Sequence, residues 1–576
     1  MNMNSTLAIK ALNQYRRRDL YSYLSLRYYL DNSFANSDRW INEISSKLHC
    51  DNEFSGYLRT YHYKDKIEGS YIYRDVYLPG PNESLSEVAL LTELAKHKCF
   101  HPKPYVYSYR LSKVDDKKSV FEPYFNGFKE RHKEIATACW KIENGLVLYT
   151  DIKKFYPSIS HEDAKRVWVE KSSRAKLAKN FVNIGNSILD KHKKVSEADG
   201  TGHGLLTGPM FSHMIANLLL DEIDQKMYAM TAGNYWRYVD DVTFVGTSQQ
   251  VMHWREKLVE HFNELNLELH DGEKDFTVLG IDWLVGEKDF EDNFGLSWVS
   301  LIADVKRFLI ANPEKRDLLN EEFVRNDIRI PVLDYSNVVK ESSYLERFSD
   351  WTKKYKWSKK AVKKINIRYL LSSAKTCKNE LYAALGQLLE SKEFNSEFGK
   401  KRLIPKIRFL SGRLIYLLDS KELLGLSDRL KDVPELNLIA STMKTVATRD
   451  VTECLCMGSN ATQAAAQLLE VNGKPVTVDI KSIEGVNVEV IKQSLSILEL
   501  HGISHNCDIE MSELRKFALS EDNSSLMKSQ DWFIREIASL HGIGLSRHKD
   551  MLYSCFDRDE ELALDVLNQL QHSSSM

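Results

Sequence analysis

The chain of 576 residues is 43% apolar and 28% charged, which is typical of a folded protein of several domains and excludes a disordered one. Its formal net charge of −2 gives no overall sign of nucleic-acid binding, although a local basic surface is enough to contact phosphates. The eight cysteines form no CxxC pair and no apolar run is long enough to span a bilayer, so we expect a cytoplasmic protein with reduced thiols and no membrane association.

The first half of the chain predicts alternating strands and helices. Short β-rich runs bounded by turn residues occur at 69–78 and 146–150, and helical patterns occur at 85–98 and 209–230. From about residue 310 onward the pattern becomes almost entirely helical, without a repeat of fixed period. Apolar residues at helix spacing mark two of these later segments: Leu381, Leu385, Leu388 and Leu389 in one, and Leu562, Val566, Leu567 and Leu570 in the other.

Three segments between residues 146 and 246 carry the residues expected to do chemistry. An apolar run that predicts a buried strand ends on Asp151, and a glycine-rich loop at 202–208 opens an apolar helix. Farther along, Asp240 and Asp241 lie between apolar β-forming residues, where a two-residue hairpin turn fits. We therefore expect a carboxylate at a strand end beside a carboxylate pair at a hairpin tip.

This combination predicts a metal site for phosphoryl transfer. Transfer from a nucleoside triphosphate uses two divalent ions about 4 Å apart, and Mg²⁺ prefers carboxylate and water oxygens. Glycines in the loop, Gly208 among them, would let the backbone approach a template base or an incoming nucleotide closely. An aspartate pair alone means little, because Asp115 and Asp116 also form one in what reads as a solvated loop. The ordered set of three segments is what favours a site.

The three segments resemble motifs A, B and C of reverse transcriptases. Residues 151–159, DIKKFYPSI, resemble the form found in bacterial retron and abortive-infection reverse transcriptases, and the YVDD sequence at 238–241 matches the family's Tyr-x-Asp-Asp box. The implied cofactor is a pair of Mg²⁺ ions, with Mn²⁺ as an alternative. The resemblance implies these metal ligands: Asp151, the carbonyl of Ile152, Asp240 and, less directly, Asp241.

Motif B departs from the family pattern. Leu206 and Thr207 precede Gly208, where retroviral and intron enzymes carry a proline and a glutamine. Ser212 and Asn217 match the usual continuation. The missing glutamine puts conventional template handling in doubt.

The resemblance also implies residues that bind the nucleotide. Tyr156 falls where the family places a bulky steric gate against a ribose 2′-OH, so the enzyme would prefer deoxynucleotides; the alternative is that Tyr156 only packs. Lys274 lies in a segment resembling motif D and is a candidate proton donor to the leaving pyrophosphate, or else a solvated loop lysine. In the fingers region before residue 145, Arg74 and Arg110 are the best candidates for gripping the triphosphate, with ordinary edge-strand arginines as the alternative.

The helical half contains no recognisable catalytic motif. Its two basic segments, 353–364 and 400–408, are candidates for nucleic-acid contact, or else solvated helix faces. A reverse-transcriptase core followed by a long helical region resembles the defence-associated bacterial enzymes. We therefore expect an α+β fold with right-hand polymerase architecture. Its predicted parts are N-terminal helices and fingers at 1–145, a palm with motifs A to D at 146–305, and a thumb-like or array-like α-helical domain at 306–576.

The function implied by the resemblance is that of a reverse-transcriptase-like DNA polymerase in antiphage defence. Some members of that group synthesise DNA without a conventional template, some start from a protein hydroxyl, and several form symmetric oligomers. The implied partners are dNTPs, a DNA product and further copies of the chain. One alternative is a retron-like enzyme that copies a partner non-coding RNA. An alternative of another class is an RNA-binding helical scaffold with a vestigial polymerase fold.

Overall fold

Two small antiparallel sheets lie within a mostly helical structure. The computed structural model describes residues 3–15, 20–31, 56–116, 119–202, 204–270, 276–287, 295–332, 365–470, 474–541 and 548. A two-stranded sheet pairs β1 with β2, and a four-stranded sheet has the order β4-β5-β3-β6. The strands are Tyr57–Ile67 (β1), Ser70–Pro79 (β2), Leu146–Asp151 (β3), Tyr235–Tyr238 (β4), Asp241–Gly246 (β5) and Phe276–Leu279 (β6).

The helices of the first part surround these sheets. They are Met3–Tyr15 (α1), Leu20–Asp31 (α2), Pro81–Leu94 (α3), Tyr124–Lys141 (α4), Phe155–Ser158 (α5), His161–Arg174 (α6), Lys179–Asp199 (α7), Met210–Met230 (α8), Ser248–Asn263 (α9), Gly280–Glu287 (α10), Leu296–Ala311 (α11) and Arg316–Arg325 (α12). Short 3₁₀ turns occupy Lys98–Phe100 and Pro313–Lys315.

The described residues after 332 contain helices and short connections. The helices are Ile367–Leu389 (α13), Glu397–Leu414 (α14), Ser420–Leu430 (α15), Asn437–Thr448 (α16), Thr452–Met457 (α17), Ser459–Glu470 (α18), Ile480–Ile483 (α19), Val488–Leu500 (α20), Glu513–Ala518 (α21), Asn523–Leu526 (α22) and Trp532–His541 (α23). Two further 3₁₀ turns lie at Lys392–Asn395 and Pro434–Leu436. The predicted change to helical structure is confirmed for this part of the chain.

The four-stranded sheet is covered on both faces. Successive side chains along its strands point to opposite faces, and apolar residues on both faces are buried. Val147 on β3 and Val245 on β5 face one apolar cluster, to which α4 and α10 contribute. Leu148 and Phe244 face the opposite way, into the main core with α8 and α9. Since both faces are covered, the sheet fixes the strand ends near Asp151 firmly in place.

The structure confirms most of the elements predicted in the first half. The runs predicted as strands are β2 and β3, and the helix predicted at 209–230 is α8. Helix α3 begins at Pro81, four residues before the predicted start at residue 85. Proline is tolerated in a first helical turn because the N–H it lacks has no partner there. The fold is therefore α+β with small antiparallel sheets, as expected at this level.

The β1–β2 hairpin is held by helices from the far end of the chain. The Tyr73 hydroxyl donates to the Cys456 carbonyl at 2.5 Å, and the Gln493 amide donates to the Arg59 carbonyl at 2.7 Å. One hydrophobic core runs from α1 to α23. The sequence-predicted boundary at 305/306 falls inside α11. The hairpin and the late helices thus form one packed body.

The structure describes one of the two basic segments that the sequence marks as candidates for nucleic-acid contact. The basic segment 400–408 lies in α14, where Arg408 is buried and donates to the Glu435 carbonyl, and Arg402 pairs with Glu393 at 2.5 Å. Part of its charge therefore serves packing and ion pairing. The segments 353–364 and 562–570 lie outside the described residues. Across the described part of the chain, no helix combines the length and the apolarity needed to cross a membrane.

Candidate metal centre

Two of the predicted carboxylates are direct cross-strand neighbours. Strands β3 and β5 pair antiparallel, and the last residue of β3, Asp151, lies opposite the first residue of β5, Asp241. Opposed residues project to the same face of a sheet with Cβ atoms about 5 Å apart. Both side chains are buried, with exposed fractions of 4% and 2%. Like charges in such a pair are destabilising unless a cation lies between them.

The third carboxylate is delivered by the turn between β4 and β5. Tyr238 pairs with Asp241, so the two-residue turn consists of Val239 and Asp240. The predicted hairpin is confirmed, but the aspartate pair is divided between turn and strand. The Ile152 N–H donates to the Asp240 carbonyl at 3.3 Å, which fastens the turn to the end of β3.

The three aspartates converge on one point. Asp151, Asp240 and Asp241 each offer a carboxylate oxygen within 4.8 Å of the others. Burial, followed by the negative charges of Asp151 and Asp241, raises the pKa of the half-buried Asp240 carboxyl well above its usual range. This set of oxygen donors can hold a metal ion, and a cation there would remove the repulsion that raises the pKa.

The turn has a strained backbone that a buried network maintains. Val239 has a φ of +57°, a conformation costly for a β-branched residue. Its N–H donates to the Ser108 hydroxyl at 2.8 Å, and its carbonyl accepts from Arg237 Nη1 at 2.7 Å. Asn217 connects both sides, because it accepts from the Arg237 guanidinium at 3.1 Å and donates to the Ser108 carbonyl at 3.1 Å. These contacts hold the turn in the conformation that presents Asp240.

Arg237 is itself fixed by a buried ion pair that sequence reasoning missed. It is fully buried and makes two parallel bonds to Asp224 on α8, at 2.8 and 2.7 Å. The Tyr235 hydroxyl donates to the same carboxylate at 2.6 Å. The only signal in the sequence was a charged residue inside an apolar strand three positions before Asp240. Its partner could be found only from the packing of α8 on the sheet.

A histidine beside Asp151 was also missed. The His270 N–H donates to the Asp151 carbonyl at 2.7 Å, and His270 Nε2 lies 3.8 Å from Asp151 Oδ2. This residue belongs to the segment that resembles motif D. Lys274, the predicted proton donor in that segment, lies outside the described residues. His270 therefore brings an imidazole ring to the edge of the three-aspartate centre.

The glycine-rich loop approaches the β1–β2 hairpin. Gly208 has a φ of +119°, and a Cβ there would lie 2.6 Å from the Tyr77 carbonyl oxygen. The Tyr77 N–H donates to the Thr207 carbonyl at 2.8 Å. The space that glycine leaves is used for contact between this loop and β2, and nucleotide binding by Gly208 stays a prediction.

The helix after this loop is capped by a buried carboxyl group. Glu87 on α3 is fully buried and accepts the Phe211 N–H at 3.2 Å in the first turn of α8. Burial raises the pKa of Glu87 to about 8. Its neighbour Glu83 pairs with Lys191 at 3.0 Å. Sequence analysis did not identify this site, because it requires α3 and α8 to be placed together.

The two candidate arginines differ in their surroundings. Burial and the charges of Asp151 and Asp241 raise the pKa of Asp240, and the positive charge of Arg74 opposes this rise. The Arg110 guanidinium is bound to other groups: it donates to the Val106 and Pro104 carbonyls and pairs with Glu130 at 2.5 Å. Phosphate binding by Arg110 would require that pair to exchange.

Tyr156 lies near the centre; burial raises its pKa, and the charge of Asp240 adds to that rise. Its hydroxyl is within 2.6 Å of His213 Nδ1. The structure thus brings together Asp151, Ile152, Tyr156, Asp240 and Asp241 at the ends of β3 and β5.

Comparison with protein-family models gives no match for this chain, and comparison with curated proteins gives none. Its function is therefore inferred from the geometry of the metal centre.

Proposed function

We propose that the chain is a metal-dependent nucleotidyltransferase, a reverse-transcriptase-like DNA polymerase that adds deoxynucleotides. The observation that carries this proposal is the convergence of Asp151, Asp240 and Asp241 within 4.8 Å at one end of an antiparallel sheet. Two carboxylates on paired strands and one on a hairpin tip form the donor set that two-metal phosphoryl transfer requires.

The electrostatics support a catalytic role over a purely structural one. Three clustered carboxylates, two of them buried, weaken the fold in the absence of a cation. The strained Val239 turn and the buried Arg237 network add further cost. A helical scaffold with a vestigial site would have no use for this arrangement, whereas a metal-dependent enzyme needs it.

The residues of the centre would have different roles in the proposed reaction. When bound, two Mg²⁺ ions, or Mn²⁺ in their place, would lower the pKa of the attacking hydroxyl and stabilise charge on the leaving pyrophosphate. Asp151, Asp240 and Asp241 would hold these ions, with the Ile152 carbonyl as a further ligand. Arg74 would attract the triphosphate, because its charge already acts on Asp240.

Beyond the centre, the proposal extends to the architecture. The palm would be the four-stranded sheet with α8 and α9, and the fingers would include the β1–β2 hairpin. Support comes from the order of strand-end aspartate, glycine loop and aspartate hairpin along the chain, and from the convergence of the three aspartates in space. Action in antiphage defence, untemplated or protein-primed synthesis, and assembly into a homo-oligomer are parts of the proposal drawn from the resemblance.

The proposal is tested by nucleotide incorporation with the purified full chain. Labelled dNTPs and Mg²⁺ are supplied with and without prior nuclease treatment of the protein. Asp240→Asn removes the charge at the centre, and Asp115→Asn makes the same change in an exposed loop as a matched control. We expect incorporation by the wild type and the control, and none by Asp240→Asn.

The form of the product distinguishes the modes of synthesis. Label that survives nuclease treatment supports untemplated synthesis, and label that migrates with the protein until proteolysis supports protein priming. Label that depends on a co-purified RNA supports the RNA-copying enzyme. Absence of incorporation with every template, primer and metal tested would contradict the polymerase proposal.

A further inference from the structure

An aromatic cluster lies beside the metal centre and connects three separate parts of the chain. The Tyr156 hydroxyl is 2.6 Å from His213 Nδ1, and the two rings meet edge to face with centroids 5.2 Å apart. On its other side, the His213 ring stacks on Tyr109 with centroids 3.8 Å apart and planes within 5°. Phe121 completes the cluster, because its ring and that of Tyr109 meet edge to face with centroids 5.4 Å apart.

The partner of the Tyr156 hydroxyl lies on a well-packed helix. Burial raises the pKa of Tyr156 well above its usual value, so the hydroxyl stays protonated. Which of the two atoms donates depends on the tautomer of His213. His213 is 6% exposed and lies in the first turn of α8. The hydrogen bond therefore joins Tyr156 to a rigid helix.

The Tyr109 ring is fixed by the loop that also holds the Asp240 turn. Tyr109 adopts a φ of +50°, a conformation that needs support from its surroundings. Its neighbour Ser108 bonds to the Val239 N–H. Farther back, Val106 forms a parallel bridge with Arg237 on β4. The base of the aromatic stack and the metal-centre turn thus share one anchored segment.

A ring excludes a ribose hydroxyl only while it cannot rotate away from the sugar. A tyrosine in the four-residue helix α5 can otherwise adopt more than one side-chain rotamer. The bond to His213 and the edge contact with its ring oppose such rotation, and the Tyr109 stack holds His213 in turn. The cluster therefore fixes the orientation of Tyr156 from behind.

We propose that His213 and Tyr109 are positioning residues that hold the Tyr156 ring beside the metal centre and thereby set the selection of deoxyribo- over ribonucleotides. This inference rests on the proposed nucleotidyl transfer. The inference adds two residues to the proposed site: His213 from α8 and Tyr109 from the segment behind the hairpin turn. Both act on substrate choice through Tyr156.

The test uses two opposite substitutions at one position. His213→Phe keeps a ring for stacking but removes the hydrogen-bonding nitrogen, whereas His213→Asn keeps a polar atom near the Nδ1 position but removes the ring. Tyr156→Phe removes the hydroxyl from the other side of the same bond. For each variant, kcat/KM is measured with a dNTP and with the matching NTP, and the ratio of the two values is the readout.

We expect His213→Phe to raise relative ribonucleotide use by about tenfold, the effect of one buried hydrogen bond on an equilibrium. Tyr156→Phe should give a similar rise, and the double variant should be no worse than either single one, because all three lack the same bond. His213→Asn should restore part of the selectivity.

Three outcomes would overturn the inference. A sugar ratio unchanged in His213→Phe, with both nucleotides used less well, would show that the histidine is only structural. Additive effects in the double variant would show that the two side chains act separately. A wild-type protein that incorporates neither nucleotide would overturn the proposed function and this inference with it, whereas the first two outcomes leave the polymerase in place.

Discussion

Replacing Asp240 by asparagine should stabilise the metal-free protein and remove its response to Mg²⁺. At 4.8 Å, the limit within which all three carboxylate oxygens lie, two full charges repel by about 3.5 kcal/mol in an effective dielectric of about 20, from 332/(20 × 4.8). Asp240 has two such neighbours, so both together cost about 7 kcal/mol if all three groups are charged. The asparagine amide has nearly the same shape and carries no charge.

Protonation of Asp240 limits this cost and gives it a pH dependence. Taking up a proton costs about 1.4 kcal/mol for each pH unit above the unfolded value of about 3.9, hence about 3 kcal/mol at pH 6 and about 6 kcal/mol at pH 8. The repulsion and protonation energies given above are upper limits, because Asp240 is half-buried and water screens part of the repulsion. We expect the free energy of unfolding of metal-free Asp240→Asn at pH 8 to exceed that of the wild type by about 1 to 3 kcal/mol.

The direction of this pH dependence of stability follows from the raised pKa of Asp240 in the folded state. Such a carboxyl contributes full stability below its unfolded pKa and loses that contribution as the pH rises through its folded pKa. In EDTA, the wild type should therefore lose more stability between pH 6 and pH 8 than Asp240→Asn. Since Mg²⁺ requires the charged form, its stabilising effect on the wild type should be larger at pH 8.

The assay is the thermal midpoint of the full chain at pH 6 and pH 8, in EDTA and in Mg²⁺. Asp115→Asn serves as the control, because it makes the same substitution at an exposed position. The reasoning would be refuted if Asp240→Asn were no more stable than the wild type in EDTA, or if it kept the full Mg²⁺ response.

Four other perturbations test the surrounding structure. Arg237→Gln leaves its buried aspartate partner unpaired and should destabilise the fold by about 3 to 5 kcal/mol, measured by chemical denaturation. Gly208→Ala places a methyl group 2.6 Å from the Tyr77 carbonyl at a φ of +119°, so it should lower the thermal midpoint and the rate of incorporation together. Because the pKa of Glu87 is raised to about 8, its contribution to stability should fade as the pH rises from 6 to 9, and Glu87→Gln should remove that part of the pH dependence. A chain ended at residue 332 should be insoluble or partly unfolded by circular dichroism, because the late helices share the core of the hairpin.

Local patterns predicted the parts of the centre that depend on local structure. The apolar run before Asp151 formed the expected strand, and the aspartate pair fell at the expected hairpin. The division of that pair between turn and strand was not predicted, because register depends on the partner strand. The left-handed backbone of Val239 gave no sequence signal either, since a β-branched residue disfavours it.

Long-range contacts account for what sequence could not provide. Arg237 and Asp224 are 13 positions apart but meet only because α8 crosses the sheet. The contact of Tyr73 with Cys456 joins segments 383 positions apart. No periodicity encodes such a pairing, so the contact between the β1–β2 hairpin and the late helices became visible only in the fold.

Release of pyrophosphate from a single dNTP is the measurement that tests the central claim most directly. The wild type and Asp115→Asn should release pyrophosphate in proportion to incorporated label, only with Mg²⁺ or Mn²⁺ present, while Asp240→Asn should release none. Equal release by the wild type and Asp240→Asn, or release that persists in EDTA, would contradict catalysis at the aspartate centre.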